Sequence, residues 1–251
     1  MSIDQKNNNL LKTYTLRLQS IKELENKHKN KAVKFCADKP GLSAPFLIKY
    51  SEEYIAQPLR LMVVGQETFN CWYRTSTDIE ISSFIQDQMD EYAKYVNKEE
   101  TQPQSPFWQA IKLLKRGLNL SLHKNNKNII WTNICKYDYN GKRPSIEIQK
   151  EILDAFSIDG RYILLDEIEI FKPDVIVFFT GPQYDWYFEK IFGPELHKKQ
   201  IDPNFSIRGF AKIELKNVLP EHTYRLYHPN YLRRTKSLDD VINKIIEQIQ
   251  G

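Results

Sequence analysis

Residues 59–65 are Leu-Arg-Leu-Met-Val-Val-Gly, a short apolar run that ends in a glycine. A short apolar run that is bounded by a turn residue is typical of a buried strand. The final glycine lets the backbone turn sharply, because it lacks a Cβ atom. The run therefore predicts a strand of a parallel sheet that is covered on both faces.

The same pattern, an apolar run followed by a polar or turn residue, recurs three times. These runs cover 128–132 before Asn133, 174–180 before Gly181, and 223–227 before His228. Apolar residues at helical spacing lie between them, at 106–118, 147–171 with Gly160 as a candidate interruption, 183–192 and 238–249. This alternation predicts a three-layer α/β/α fold around a central four-stranded parallel sheet, and 208–215 predict a further short strand or hairpin.

The N-terminal part of the chain has a different pattern. Residues 8–30 carry apolar side chains at near-helical spacing among Lys, Glu and Asn, which predicts an amphipathic helix. We therefore expect an N-terminal helical extension over 1–58 that packs on a single α/β domain over 59–251. A chain of 251 residues with 41% hydrophobic content is long enough for one sizeable core, but not for two full ones.

Composition limits the classes of partner and compartment. A net charge of +4 permits an anionic partner without requiring one. Cys36, Cys71 and Cys135 lie far apart, so neither a disulfide framework nor a cysteine metal site is indicated. No apolar stretch reaches the length of a membrane span, and the N-terminus lacks a signal-peptide core. We expect a soluble cytoplasmic protein with reduced thiols and no contact with a membrane.

The residues that follow the predicted strands are the first candidates for a site, because ligands of parallel sheets bind at the carboxyl ends of the strands. Gly65 is followed by Gln66, Glu67 and Phe69. The amide can bond carbonyl oxygens, the carboxylate can orient water or stabilise a positive sugar, and the ring can line one edge of a planar ligand. An ordinary strand-to-helix turn, with a glutamate favoured by the helix dipole, explains the same residues.

Two further positions carry side chains that suit a planar ligand. Asn133 offers a donor and an acceptor, so it can pair with the polar edge of a base, or it can end a strand by bonding the local backbone. Phe107 and Trp108 follow Pro106 at the start of a helical pattern. Either ring can stack on a base, but we expect both in the core.

Residues 226–234, Leu-Tyr-His-Pro-Asn-Tyr-Leu-Arg-Arg, place a histidine, an apolar finger and, together with Arg225, three basic groups on one short loop. Such a set suits chemistry on a base that has been pulled out of a nucleic-acid stack. The histidine can donate to a departing base, an exposed leucine can fill the hole in the duplex, and arginines can hold phosphates. The alternative is a His-Pro turn with solvated arginines.

Taken together, these segments resemble the uracil-DNA glycosylase superfamily. VVGQET is similar to its first motif, Gly-Gln-Asp-Pro-Tyr-His, and YHPNYLRR is similar to its second, His-Pro-Ser-Pro-Leu-Ser or His-Pro-Ala-Tyr-Leu-Leu-Arg. TNICK and ILLDEIEIFKPDVIVFFTG resemble segments of the thermophile-type members. The resemblance covers roughly 59–250 and depends on the order of several segments.

The resemblance implies a role for each position. Gln66 would contact the base through its backbone, Glu67 would position water, and Phe69 would exclude a thymine methyl group. The ring that stacks on the base would be Phe69, Trp72 or Tyr73. Asn133 would bind the uracil edge and His228 would stabilise the departing base. The remaining implied contacts are to DNA, with a wedge at Leu232 and neighbouring contacts at Tyr231, Arg233 and Arg234.

The resemblance also has departures. Thr68, Asn70 and Asn230 replace family residues, and the GQET form of the first motif resembles a mostly uncharacterised branch. Thermophile-type members hold an iron–sulfur cluster through four cysteines, whereas Tyr137 and about Gly160 occupy two of those positions here. We therefore expect no cluster, no metal and no other cofactor.

The expected function is removal of uracil or a related deaminated base from DNA by a monomer. Two other functions stay open. One is a nucleic-acid-binding protein of the same fold that does not cleave, and the other is a hydrolase of free nucleosides or nucleotides.

Overall fold

The computed structural model describes residues 2–28, 41–68, 81–98, 105–120 and 125–251. The chain divides into two compact units. Unit 1 comprises Met1–Lys49, Glu67–Lys94 and Asn133–Ile170, and unit 2 comprises Tyr50–Gln66, Tyr95–Thr132 and Phe171–Gly251. A boundary between an extension over 1–58 and a domain over 59–251 stays a prediction.

The helices and strands follow one another in this order. The N-terminal third contains α1 (Ile3–Thr15), α2 (Leu18–Lys27), α3 (Glu52–Ile55), β1 (Leu61–Gly65) and α4 (Ile81–Asn97). The middle contains α5 (Pro106–Gly117), β2 (Ile130–Asn133), α6 (Ile146–Ala155), β3 (Ser157–Ile158), β4 (Arg161–Tyr162), α7 (Ile163–Phe171) and β5 (Val175–Phe178). The remainder contains a 3₁₀ turn (Pro182–Tyr184), α8 (Asp185–Phe192), β6 (His197–Lys199), β7 (Phe210–Glu214), β8 (His222–Leu226), α9 (Pro229–Arg234) and α10 (Leu238–Gln250).

Unit 2 is organised by a six-stranded sheet of strand order β2-β1-β5-β8-β7-β6. β1 pairs in parallel with β5, and β5 pairs in parallel with β8. The predicted α/β class with a mostly parallel centre is confirmed. The sheet has six strands instead of four, because β7, which lies within the further strand predicted at 208–215, and β6 extend it in antiparallel pairing. The short connection over 215–221 explains the direction of β7, since a parallel crossover needs roughly a dozen residues or more.

An ion pair lies at the amino ends of the central strands. Arg60 donates from Nε and Nη2 to the Asp174 carboxylate at 2.9 and 2.7 Å, and its backbone N–H donates to the same carboxylate at 2.8 Å. The guanidinium hydrogen bond lowers the pKa of Asp174 from its usual value. Three bonds between adjacent strand starts favour a single register.

The helices α5 and α10 of unit 2 approach each other closely at Gly117. A Cβ atom at this position would lie 2.1 Å from Ile246 Cδ1, a distance that no side chain can tolerate without displacement. An added Cβ would therefore force the Ile246 side chain to move, so glycine here serves the packing of the two helices and not a special backbone conformation.

Unit 1 brings together α1, α2, α6 and α7. The helix predicted over 8–30 is two helices, α1 and α2, because the Arg17 side chain at their junction bonds the Phe156 carbonyl and forms an ion pair with Asp166. The interruption predicted at Gly160 is confirmed. There β3 and β4 form a tight hairpin in which Asp159 and Gly160 both have positive φ.

A buried polar cluster lies inside unit 1. Lys136 Nζ donates to both carboxylate oxygens of Glu167 at 2.7 and 2.8 Å, and Tyr14 Oη donates to one of them at 2.9 Å. The side chains of Lys136 and Glu167 are 2% and 0% exposed. Burial, and then the charge of Glu167, raise the pKa of Tyr14 well above its usual value, so the phenol remains a donor.

In the part of the chain that the structure describes, no helix is both long and apolar enough to span a bilayer.

Glu167→Gln should destabilise the protein by about 3 kcal/mol or more, because it leaves the Lys136 ammonium buried without an opposing charge. Glu169→Gln, two residues along α7, is the matched control, since its side chain is 71% exposed and pairs with Arg161 at the surface. We expect the control to change the free energy of unfolding by less than about 1 kcal/mol. Urea denaturation compares the two, and equal effects would contradict the assignment.

Candidate active site

The carboxyl ends of β1, β5 and β8 form the rim of the sheet in unit 2. Val64 pairs with Phe178, and Phe178 pairs with Arg225, so the three strands end at the same level. Gln66, Gly181 and His228 follow these ends. The structure therefore brings together three of the positions that the sequence indicated.

Gln66 joins the ends of β1 and β5. Its Nε2 donates to the Thr180 carbonyl at 2.8 Å, and the residue is half-buried. This bond fixes the side chain against the rim and leaves ligand contacts to its backbone, which is the role that the resemblance implies. That role stays a prediction.

Gly181 lets the chain turn at the end of β5. Its φ is +72°, and a Cβ atom would contact the Tyr227 ring at 3.5 Å. Its N–H donates to the Leu226 carbonyl at 2.9 Å, which ties this turn to the end of β8. A left-handed backbone beside a ring favours glycine at this position.

His228 is the chemically distinctive residue of the rim. It caps the N-terminus of α9, where its Nδ1 accepts a hydrogen bond from the Asn230 N–H at 3.2 Å. A nitrogen that accepts from a backbone N–H carries no proton, so the neutral ring must carry its hydrogen on Nε2. Desolvation by burial lowers the pKa of His228 from 6.5 to about 4. At neutral pH the residue is therefore an uncharged hydrogen-bond donor.

Phe107 contacts His228 from the first turn of α5. The two rings are nearly parallel, at 18°, with centroids 5.9 Å apart. Phe107 also meets Phe179, at the end of β5, edge to face at 5.7 Å. It is only partly buried, so it belongs to the rim as well as to the core, whereas Trp108 is 9% exposed and packs on Trp131 as expected of a core residue. The sequence feature that marks Phe107 is its position directly after Pro106, at the start of α5.

Helix α9 determines which of the predicted DNA-contacting side chains are exposed. The expectation that Leu232 is an exposed finger is wrong, because its side chain is 3% exposed on the inner side of α9. Tyr231 is instead 42% exposed, and its ring packs on Tyr227 with centroids 4.3 Å apart. Arg233 and Arg234 are exposed. The protruding group of this segment is therefore an aromatic ring flanked by cations.

Arg225 is not one of the available cations. It is 1% exposed, and its guanidinium donates to the carbonyls of Arg208 and Ile207 at 2.6 and 3.1 Å. Its Nε lies 3.3 Å from Asp185 Oδ1. The side chain thus holds the chain before β7 against β8, so the phosphate-binding expectation is wrong for this arginine.

Glu67 and Asn133 belong to unit 1, whereas His228 belongs to unit 2, so their predicted convergence stays a prediction. Glu67 is partly exposed, and Asn133 is buried as the last residue of β2. Thr68, which stands where the first motif has proline, is buried and donates to Asp138 Oδ2 at 3.0 Å.

Several predicted positions lie outside the described residues. They are Phe69, Asn70, Cys36 and Cys71, together with the further stacking candidates Trp72 and Tyr73. The Cys135 thiol is buried and donates to the Tyr137 carbonyl at 3.4 Å. Within the described ranges, no three His, Cys, Asp or Glu side chains gather closely enough to hold a metal ion.

We expect His228 to stay neutral, with its proton on Nε2, when the pH is lowered from 7.5 to 5. Ring ¹H–¹⁵N correlation spectra should show this tautomer, with His228→Gln supplying the assignment. The unfolded chain binds the proton near the usual histidine pKa and the folded chain only near 4, so this residue lowers stability as pH falls between these values and has no effect above them. An imidazolium spectrum at pH 6 would contradict the expectation.

A scan against protein-family models and a search of curated proteins found no match to this chain. The rim residues and the order of the motifs are therefore the basis for a functional proposal.

Proposed function

We propose that the protein is a DNA glycosylase that hydrolyses the N-glycosidic bond of uracil or a related deaminated base. The observation that carries the proposal is His228, a neutral donor held by α9 at the carboxyl edge of a parallel sheet. The order of motifs around it supports a three-layer fold of the uracil-DNA glycosylase type, in which the chain acts as a monomer.

The chemistry needs a group that accepts charge from the bond that breaks. As the C1′–N1 bond lengthens, its electron pair moves to the base, and negative charge develops on a base oxygen. The Nε2–H of His228 donates a hydrogen bond to that oxygen and stabilises the anion, while the ring itself stays neutral. A neutral donor can make this hydrogen bond at neutral pH, where the lowered pKa of His228 leaves the ring uncharged.

The sugar becomes an oxocarbenium-like cation in the same step. Water adds to C1′ and releases a proton, which yields an abasic site and the free base. On this proposal Glu67 orients the water and stabilises the cation, and Asn133 pairs with the edge of the base. Both roles are carried over from the resemblance.

Phe107 supports an aromatic ligand at the same rim. Its ring lies parallel to that of His228 and is partly exposed. A base that accepts from His228 would meet this ring, and stacking on an aromatic side chain contributes about 1–3 kcal/mol per base. Phe107 is therefore a candidate for the stacking residue, in addition to Phe69.

A second candidate function is binding of nucleic acid without cleavage. The exposed Tyr231, flanked by Arg233 and Arg234, favours it. These three residues would bind a strand whether or not His228 performs chemistry, so activity must be tested directly.

The wild-type protein should release base from oligonucleotides that carry uracil, hypoxanthine or xanthine, which alkali treatment detects as strand breaks at abasic sites. His228→Gln should slow the release by about a hundredfold or more, because it removes the aligned donor. His222→Gln, at the opposite end of β8, is the matched control and should leave the rate unchanged. Absence of release from all three substrates would overturn the proposal.

Tyr231→Ala and Leu232→Ala should fail in different ways. Loss of the exposed ring should reduce cleavage of duplex more than of single-stranded substrate, because only the duplex must be unstacked, at a cost of about a few kcal/mol. Loss of the buried leucine should instead lower the free energy of unfolding by about 2–5 kcal/mol. Parallel urea denaturation and cleavage assays measure both. A duplex-specific defect in a fully stable Leu232→Ala protein would restore leucine as the wedge.

A further inference from the structure

A basic groove of about 490 Å³ lies on unit 2 beside the rim. Helix α5 forms one wall, and α9 with the start of α10 forms the other. The lining residues are Gln109, Lys112, Leu113, Arg116, Arg233, Lys236, Leu238 and Asp239. Four of the eight are cations and one is an acid. Pockets for small ligands are mostly apolar, so this composition indicates an anionic occupant.

The wall from α5 is one face of an amphipathic helix. Gln109, Lys112, Leu113 and Arg116 recur at helical spacing, whereas Ile111 and Leu114 are buried on the other side. Lys112 and Arg116 are exposed and stand about 6 Å apart along the axis. The face therefore presents two charges in a row.

The opposite wall is attached to α5 by a hydrogen bond. Arg233 donates from Nη1 to Gln109 Oε1 at 2.8 Å. The close approach of α10 to Gly117 places that helix against α5 further along. The groove is thus a feature of packed helices and does not depend on a loop.

Within the described ranges, the cations of the groove are not neutralised by a carboxylate. Lys112, Arg116, Arg233 and Lys236 make no ion pair there, although Asp239 lines the same groove. Two other lysines of this unit are paired, Lys198 with Asp185 and Lys244 with Glu247. A cluster of unpaired cations is the arrangement that binds phosphates and releases counterions.

We propose that this groove holds the sugar-phosphate backbone of the DNA strand that carries the target base. This inference rests on the proposed function. The groove lies next to the rim, because the helices that form its walls also carry rim residues: Phe107 is in the first turn of α5, His228 caps α9, and their rings face each other. A strand whose base enters the rim would pass next along these two helices, and phosphate contacts there would set its position without reading its sequence.

The test is the salt dependence of binding to a fluorescein-labelled single-stranded DNA that contains no uracil. Lys112→Gln/Arg116→Gln should weaken binding roughly tenfold near 0.1 M NaCl and flatten the slope of log K against log salt by about 1.4, because about 0.7 of a counterion is released per phosphate contact. Lys190→Gln/Lys216→Gln is the matched control. It removes two exposed cations of unit 2 that lie outside the groove and should leave the slope unchanged.

Equal slopes for the groove and control variants would overturn the groove proposal, whatever the cleavage assay shows. Tighter binding of the matching RNA, or of polyglutamate, would overturn the assignment to DNA. Base release is measured separately on uracil-containing DNA, so failure of the proposed function is distinguishable from failure of the groove.

Discussion

The parallel register of β1, β5 and β8 is the constraint on which the rest of unit 2 depends. It makes three strands end at the same level, and each end supplies one component of the rim. In another register the Gln66 amide, the left-handed Gly181 and the capping His228 would not lie together at the rim. The Arg60–Asp174 pair at the opposite ends of the strands opposes slippage by one residue, which would move every side chain to the other face.

Burial decides which side chains are available for chemistry. Desolvation keeps His228 uncharged, and it makes Arg225 a structural residue that bonds backbone carbonyls. Exposure does the opposite for Tyr231 and Arg233, which have the reach to contact a ligand outside the protein. The segment after β8 therefore divides its residues between support and contact, and their residue types alone do not indicate which is which.

The sequence predicted well whatever depends on local pattern. Apolar runs ending in turn residues located all four central strands, and Gly160 located the break between α6 and α7. Pattern could not predict what depends on packing. Leu232 is buried because α9 is helical and turns that side inward, and Phe107 reaches His228 through the placement of α5. The direction of β7 likewise follows from a short connection to β8, and Arg225 is buried by carbonyls far from it in sequence.

The cap that His228 forms on α9 restricts which residues can replace it. One ring nitrogen must accept from the Asn230 N–H while the other remains a donor, and only the neutral histidine ring holds an acceptor and a donor at fixed positions on one rigid side chain. Aspartate at this position would preserve the helix start and lose the donor, whereas serine would keep a hydroxyl at the cap that is too short to reach the position of Nε2. Among related chains, the residue at this one position would therefore separate proteins that retain the chemistry from those that retain only the fold.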